Sequence, residues 1–466
     1  MEHSRLPAPE MPLLTPHDEY SLAHLIEQHI DFIETDKDGE TRSVALDPTF
    51  VRHYMKWRDS RLPVVTGIVT TPLVLPDGTL LATQGLDRQR GLIFRLQPEL
   101  LALLPDPRDC TEKAVAEAMR FLTNEWLVDV ACDYVGKCVL IAAALTIIER
   151  VVLAERPAFF VTAGQRGGGK TTTLQMVFVA ATGYRAPAAA WSSNEEERRK
   201  CLFSYLGEGV PAVVWDNIPR GAAISCPSIE KSLTAALYSD RVLGQTGTRT
   251  VPATTINFFT GNNIGPRGDM ASRSLQTRLT TDRPDPENRQ FTHADPVAWT
   301  FNHRGNIVKA LYTILLGNPR LSAPTSSPAE TRFKGWWHLV GSAVEHAAKL
   351  NKQAVRFRDM FLSGEADEEQ SSSLATVLDV LRKHWSGGFT ANDVATFTGK
   401  ALEEAIEFKS ALEAASGKPL VVLTATTVAW RLKALADAPV MVGDDLLALR
   451  YSPGKTGSFI VTKLSK

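Results

Sequence analysis

The chain has 466 residues, a formal net charge of −1 and a hydrophobic content of 44%. Those values fit a globular protein of two or three domains and exclude one that coats nucleic acid by bulk charge, so any such contact must come from local basic patches. The five cysteines (Cys110, Cys132, Cys138, Cys201, Cys226) are odd in number and form no C-x-x-C pair, which predicts buried thiols in a reducing, cytoplasmic setting. No basic-then-apolar leader opens the sequence, and the longest apolar run, Cys138 to Ile148, is too short to span a bilayer, so no membrane partner is expected.

Residues 1–60 are polar and mixed, with Pro7, Pro9, Pro12 and Pro16 at the start, and predict a loose end followed by one or two helices. Residues 61–152 form a β-rich lead-in and a helical collar. Short runs at Val64 to Val69, Leu73 to Leu75 and Thr79 to Ala82, with a Pro76-Asp77-Gly78 turn, precede helices at Thr111 to Leu127 and Ala131 to Val152.

Residues 153–350 hold the most informative stretch. An apolar run from Pro157 to Thr162 breaks into glycines and ends in Lys-Thr, and the spacing from Gly164 to Gly169-Lys170-Thr171 matches G-x-x-x-x-G-K-[ST]. Glycines admit the positive φ that turns backbone N–H groups inward, and a helix N-terminus adds free donors and a positive dipole end. Gly164, Gln165, Arg166, Gly167, Gly168, Gly169, Lys170, Thr171 and Thr172 are therefore the expected cradle for a nucleotide's phosphates. Lys170 would sit at the β- and γ-phosphates and Thr171 would take one Mg²⁺ position.

A helix from Glu195 to about Tyr205 follows, then a strand from Pro211 that ends in Asp216, a second candidate Mg²⁺ ligand. A helix at Ser228 to Tyr238, a polar stretch Gln245 to Arg249 and a strand Thr254 to Thr260 come next. That strand runs into Asn262 and Asn263, which can orient water or touch a γ-phosphate. Arg273 and Arg278 lie shortly after it, and either could reach a neighbouring subunit's γ-phosphate. Strands alternating with helices imply an α/β fold with a parallel sheet wound on both faces.

Residues 351–373 are expected to be a linker, acidic and Ser-rich. Residues 374–466 read as helices at Leu374 to Trp385, Ala391 to Phe397, Leu402 to Ala414 and Thr426 to Ala436, then strands at Leu446 to Tyr451 and Ser458 to Leu464. This order fits a winged helix-turn-helix with Thr426 to Ala436 as recognition helix, Val428, Leu432 and Leu435 facing inward, and Lys455 at the ribbon tip.

The succession of P-loop, Trp215-Asp216-Asn217 strand, polar hairpin segment, Thr260-Gly261-Asn262-Asn263 strand end and arginines resembles the superfamily 3 helicases. Within them it is similar to the helicase half of primase-helicase proteins of phages, plasmids and integrated mobile elements. Asp285 to Phe291, Leu316-Gly317-Asn318-Pro319 and Phe333 to Trp337 add to the likeness, which covers roughly residues 60 to 350. It implies an AAA+-like P-loop NTPase core in a hexameric, ATP- and Mg²⁺-dependent motor that draws one strand of single-stranded or forked DNA through its channel during replication.

Under that resemblance Lys170 and Thr171 are the Walker A pair and Asp216 the Walker B acid. Asn262 or Asn263 is the sensor, Arg273 or Arg278 the arginine finger, and Arg241, Thr248 and Arg249 belong to a channel-lining hairpin. Two departures stand out. Asn217 occupies the place of a second acid, so the base is expected among Glu195, Glu196 and Glu197, with Glu197 named first, or else Asn217 positions the water. The first 60 residues are also too few for a primase domain, so priming is expected from a separate primase or polymerase. Asn217 leaves an alternative open: an ATP-switched replication initiator or loader without unwinding activity.

Overall fold

Alternation along the apolar strands decides the architecture. Phe159 and Val161 point to one side of their strand and Phe160 to the other, so both faces must be covered. The computed structural model describes all residues except 1–10, 15–16, 58–62, 165–166, 243–246, 281–290, 323–330, 401, 417–423, 444, 454–456 and 465–466, and only the backbone of 363–369 and 371. Its central sheet contains β1 (Ala158–Ala163), β2 (Ala188–Ala190), β3 (Ala212–Ile218), β4 (Ile256–Asn262) and β5 (Ser274–Leu279). The order is β5-β1-β4-β3-β2, and every pairing is parallel. The expected doubly wound α/β sheet is therefore present, and all five strands deliver their C-terminal ends to one edge, where such sheets bind ligands.

One face packs against the helices Tyr134–Glu149, Lys170–Thr182, Arg304–Leu316 and Ser342–Leu350. The other packs against Glu195–Glu208 and Pro227–Thr234. Phe159 stacks on Phe258 at 5.3 Å and Phe160 on Phe259 at 4.6 Å, so β1 and β4 are cemented on both sides. Each such buried ring contributes about 1.5–3 kcal/mol.

Helix Tyr134–Glu149 is the buried helix expected from its composition, but the charges at its end are buried as well. Glu149 accepts the Val74 N–H through both carboxylate oxygens at 3.1 Å, and burial pushes its carboxyl well above the usual range. Arg150 donates to the Ile68 carbonyl at 2.7 Å. These two side chains tie the β-rich lead-in to the collar. Among the described residues, no helix is long and apolar enough to cross a membrane, and the five cysteines are free thiols.

Two expected elements differ. The helix predicted over Ser228 to Tyr238 stops at Thr234, and Tyr238 enters the strand Leu237–Arg241, where its buried ring packs on Phe203. The stretch expected as a linker, 351–373, is mostly helical rather than extended, because Phe357–His384 is one continuous helix. Low apolarity suggested a linker, yet Ala, Glu, Asp and Gln without a proline are compatible with a helix, and packing at both ends supplies the rest.

That helix contacts β5 and the turn Gly268–Arg273 at one end and the C-terminal residues at the other. Helices Ala391–Thr398, Glu403–Ser416 and Ala425–Leu435 there surround a separate core including Leu378, Phe397, Phe408, Val428, Leu432 and Phe459. The expected two-strand ribbon, Asp445–Ser452 with Ser458–Lys463, gains Val440–Val442 on one side and Phe389–Thr390 on the other. Ser373→Pro in the middle of the long helix is expected to lower stability by about 3 kcal/mol, read by a circular-dichroism melt and by new tryptic cleavage between the halves. A true linker would tolerate the change.

Candidate functional site

β1 ends at Ala163, and the chain turns through Gly167 (φ 76°) and Gly169 (φ 81°), left-handed conformations that a side chain would strain. Gly169 is the N-cap of helix Lys170–Thr182 and offers no side chain to cap it, while the Thr173 N–H already bonds the Gly169 carbonyl at 2.9 Å. The N–H groups of Lys170, Thr171 and Thr172 therefore have no helical acceptor and form an anion-receptive terminus. Gln165 and Arg166 lie outside the described residues.

Lys170 reaches across to β4, and its Nζ donates to Asn262 Oδ1 at 2.7 Å. Burial pulls the Lys170 ammonium below the ordinary lysine range, and the charge of Asp216 works against that pull. The lysine that follows β1 and the acid of β3 thus lie on either side of β4 at the same edge of the sheet.

Asn263 adopts the left-handed φ of 52°, donates its N–H to Ala163 O at 3.0 Å, and brings Oδ1 to 3.9 Å from where a Gly164 Cβ would stand. Both asparagines singled out in the sequence thus face the phosphate loop.

Asp216 is half-buried and accepts the Asn217 N–H at 2.7 Å through one carboxylate oxygen. Asn217 is exposed and left-handed (φ 64°), at a register break between Trp215 and Ile218. A strained turn directly after the acid removes the Asn217 side chain from the strand's alternation. The donor set fits a Mg²⁺ that keeps several waters: one hydroxyl, from exposed Thr171, and one carboxylate, from Asp216.

Each glutamate expected to supply a base has a local partner. Burial opposes ionisation of Glu195, but hydrogen bonds from Cys226, Ser228 and Arg198 outweigh it and lower its pKa. Its carboxylate takes Ser228 Oγ at 2.9 Å and Arg198 Nη2 at 2.7 Å. Glu196 and Glu197 are 61% and 56% exposed and pair with Lys200 at 3.1 and 2.9 Å. Attraction at i, i+3 and i, i+4 holds both glutamates on the solvent face of their own helix.

The two arginines also part company. Arg273 donates to Glu230 O at 2.9 Å and to Asp269 at 2.7 Å, bound within its own chain. Arg278, on edge strand β5 opposite Thr162, is exposed and has no partner among the described residues. The polar segment expected as a hairpin is one: Leu237–Arg241 pairs antiparallel with Thr248–Pro252, placing Arg241 opposite Thr248, all exposed at that end. Lys455 lies outside the described residues.

No family model matches the sequence. No curated protein matches it either. Solved structures do overlay on the chain. The A form apo structure of the NrS-1 C-terminal region has a TM-score of 0.33 and 10% identity, covering 96% of this chain and 100% of that one. A second apo structure of the same region gives 0.35 and 10%, over 91% and 93%. An inhibitor-bound JCV helicase gives 0.23 and 13%, over 57% of this chain and 76% of that one.

Sequence reasoning missed a cleft beside the glycine turn, lined by Asp129, Val130, Ala131, Thr172, Met176 and Phe291. Asp129 shapes it by accepting the N–H groups of Thr292 and His293 at 2.6 and 2.9 Å. An acid in an unremarkable collar segment carries no sequence signal; only the fold brings it to the loop.

Arg273→Ala is expected to lower stability by on the order of 1–2 kcal/mol in a urea titration, since it removes the charged bonds to the Glu230 carbonyl and Asp269. Glu197→Gln should leave the urea midpoint unchanged, because its partner is Lys200 and the exchange touches only a solvent-exposed ion pair.

Proposed function

We propose that the chain is an ATP-dependent DNA helicase or translocase of a mobile genetic element, working in replication as a hexameric ring on single-stranded DNA. The observation that carries this reading is the convergence of Lys170, Asn262 and the influence of Asp216 at the C-terminal edge of the sheet, over an uncapped helix N-terminus. A triphosphate supplies what that edge lacks, namely negative charge for the free N–H groups and for Lys170.

On ATP binding Lys170 would leave Asn262 for the phosphates. Asn262 would then be free to orient the attacking water, with Asn263 bracing the loop. Mg²⁺ held by Thr171 and Asp216 would neutralise phosphate charge. Arg278, exposed on the edge strand, is the arginine that a neighbouring copy could use, and Arg241, Thr248 and Arg249 would meet the DNA backbone.

A second reading, an ATP-switched initiator or loader, is favoured by one feature: Asn217 turns out to solvent where a second acid is expected, so slow hydrolysis would suffice. Strand displacement on a forked substrate with ATP, compared with a non-hydrolysable analogue, separates the two. A purified chain that neither retains nor cleaves ATP with Mg²⁺ would sink both.

Asp216→Asn and Asn262→Ala should each lower turnover by about 10²-fold or more, with ATP binding changed far less for the asparagine. Arg278→Ala alone should lose about 10³-fold. Mixing it with Lys170→Ala chains should restore part of the turnover, because one copy then supplies the lysine and its neighbour the arginine.

A further inference from the structure

Helix Pro48–Lys56 carries Phe50 and Tyr54 at i and i+4 and is capped by Trp57 at i+7 in extended backbone, a spacing that would normally form the core-facing stripe of a surface helix. The fold buries Val51 instead, packing this helix on Glu19–Glu27, and leaves Phe50 63% and Trp57 59% exposed. Tyr54 stands edge-on to Trp57, with ring centroids 6.1 Å apart and planes at 65°. With His53 and Lys56 the three rings line a shallow cleft of about 420 Å³.

The chemistry of this cleft is one-sided. Among the described residues no carboxylate lines it, and two described acids close by are occupied: Glu19 pairs with Arg52 at 2.8 Å, and Asp47 caps the helix through the Thr49 N–H at 2.8 Å. Aromatic faces offered one helical turn apart beside a lysine match the needs of an unpaired polynucleotide, whose bases stack on rings while its phosphates seek cations. A duplex keeps its bases stacked on one another and cannot use the rings. Lysine among the rings sets the cleft apart from a protein contact, whose centre takes aromatics and is depleted of lysine.

We propose that the cleft formed by Phe50, Tyr54 and Trp57 with His53 and Lys56 is a stacking site for the unpaired bases of single-stranded nucleic acid. It shares no residue with the phosphate site or the Arg241–Arg249 hairpin, so it would hold a strand whether or not ATP is bound and whether or not the chain unwinds DNA.

The test uses the full chain without nucleotide and a labelled oligodeoxythymidine of about 20 nucleotides. Tyr54→Ala with Trp57→Ala should weaken binding by about tenfold or more, in keeping with the loss per stacked base seen on ring removal. Trp57→Phe should retain most of the affinity, and Lys56→Ala should flatten the salt dependence by about one phosphate contact. Circular-dichroism melts of the variants control for folding. Bromouracil photo-crosslinks should map to peptide 48–57. An affinity unchanged in the double variant, or crosslinks confined to other peptides, would overturn the proposal. So would a double variant that loses self-association in sedimentation while keeping its DNA affinity, for the cleft would then be a protein contact.

Discussion

The bond between Lys170 and Asn262 organises the P-loop half of the molecule. A partly buried ammonium needs a partner, and an amide oxygen satisfies it without neutralising it. The cation therefore stays available for an anion, and the loop that carries it is held in register with the neighbouring strand. The stacked rings on either side of β1 and β4 fix those two strands against each other, so the lysine and the asparagine meet at a defined height above the sheet.

Around that pair, the same physics sorts functional candidates from structural ones. Several candidates have local partners within the chain: Glu195 in Ser228 and Arg198, Glu197 in Lys200 on the surface, Arg273 in Asp269 and the Glu230 carbonyl. Among the described residues Thr171 and Arg278 have no such partners, and both are exposed. Asp216 is intermediate, with one carboxylate oxygen on its own neighbour's N–H and its charge acting on Lys170. In the proposed motor this division would let hydrolysis depend on a neighbour while the fold of each copy does not.

The long helix Phe357–His384 bears on how the C-terminal residues could respond to the site. It touches the turn that holds Arg273 and the strand that carries Arg278, and it also enters the C-terminal core. A cavity of about 260 Å³ lies where Asn263 and Arg267 meet Ala375 and Val440, so loops at the phosphate edge and the C-terminal sheet share a boundary. A flexible tether would transmit nothing between them, whereas a continuous helix passes displacement along its axis.

Much of this was legible in the residues alone. The glycine spacing, the acid ending an apolar strand and the asparagines after the next one depend on short, local patterns, and such patterns mark where a chain must turn and what it presents there. Alternating apolar strands and helices likewise determined a parallel sheet covered on both faces, because neither face could be left to water. Partner choice was not legible. Which glutamate, which arginine and which asparagine would be free depends on side chains distant in sequence, as Ser228 is from Glu195 and Asn262 from Lys170. The Ser-rich stretch became helix because its ends found cores to pack on, and the rings of Phe50, Tyr54 and Trp57 stayed outside because Val51 took the inward face. Composition fixes what a segment can do, and the contacts made on folding decide which of its groups remain unspent.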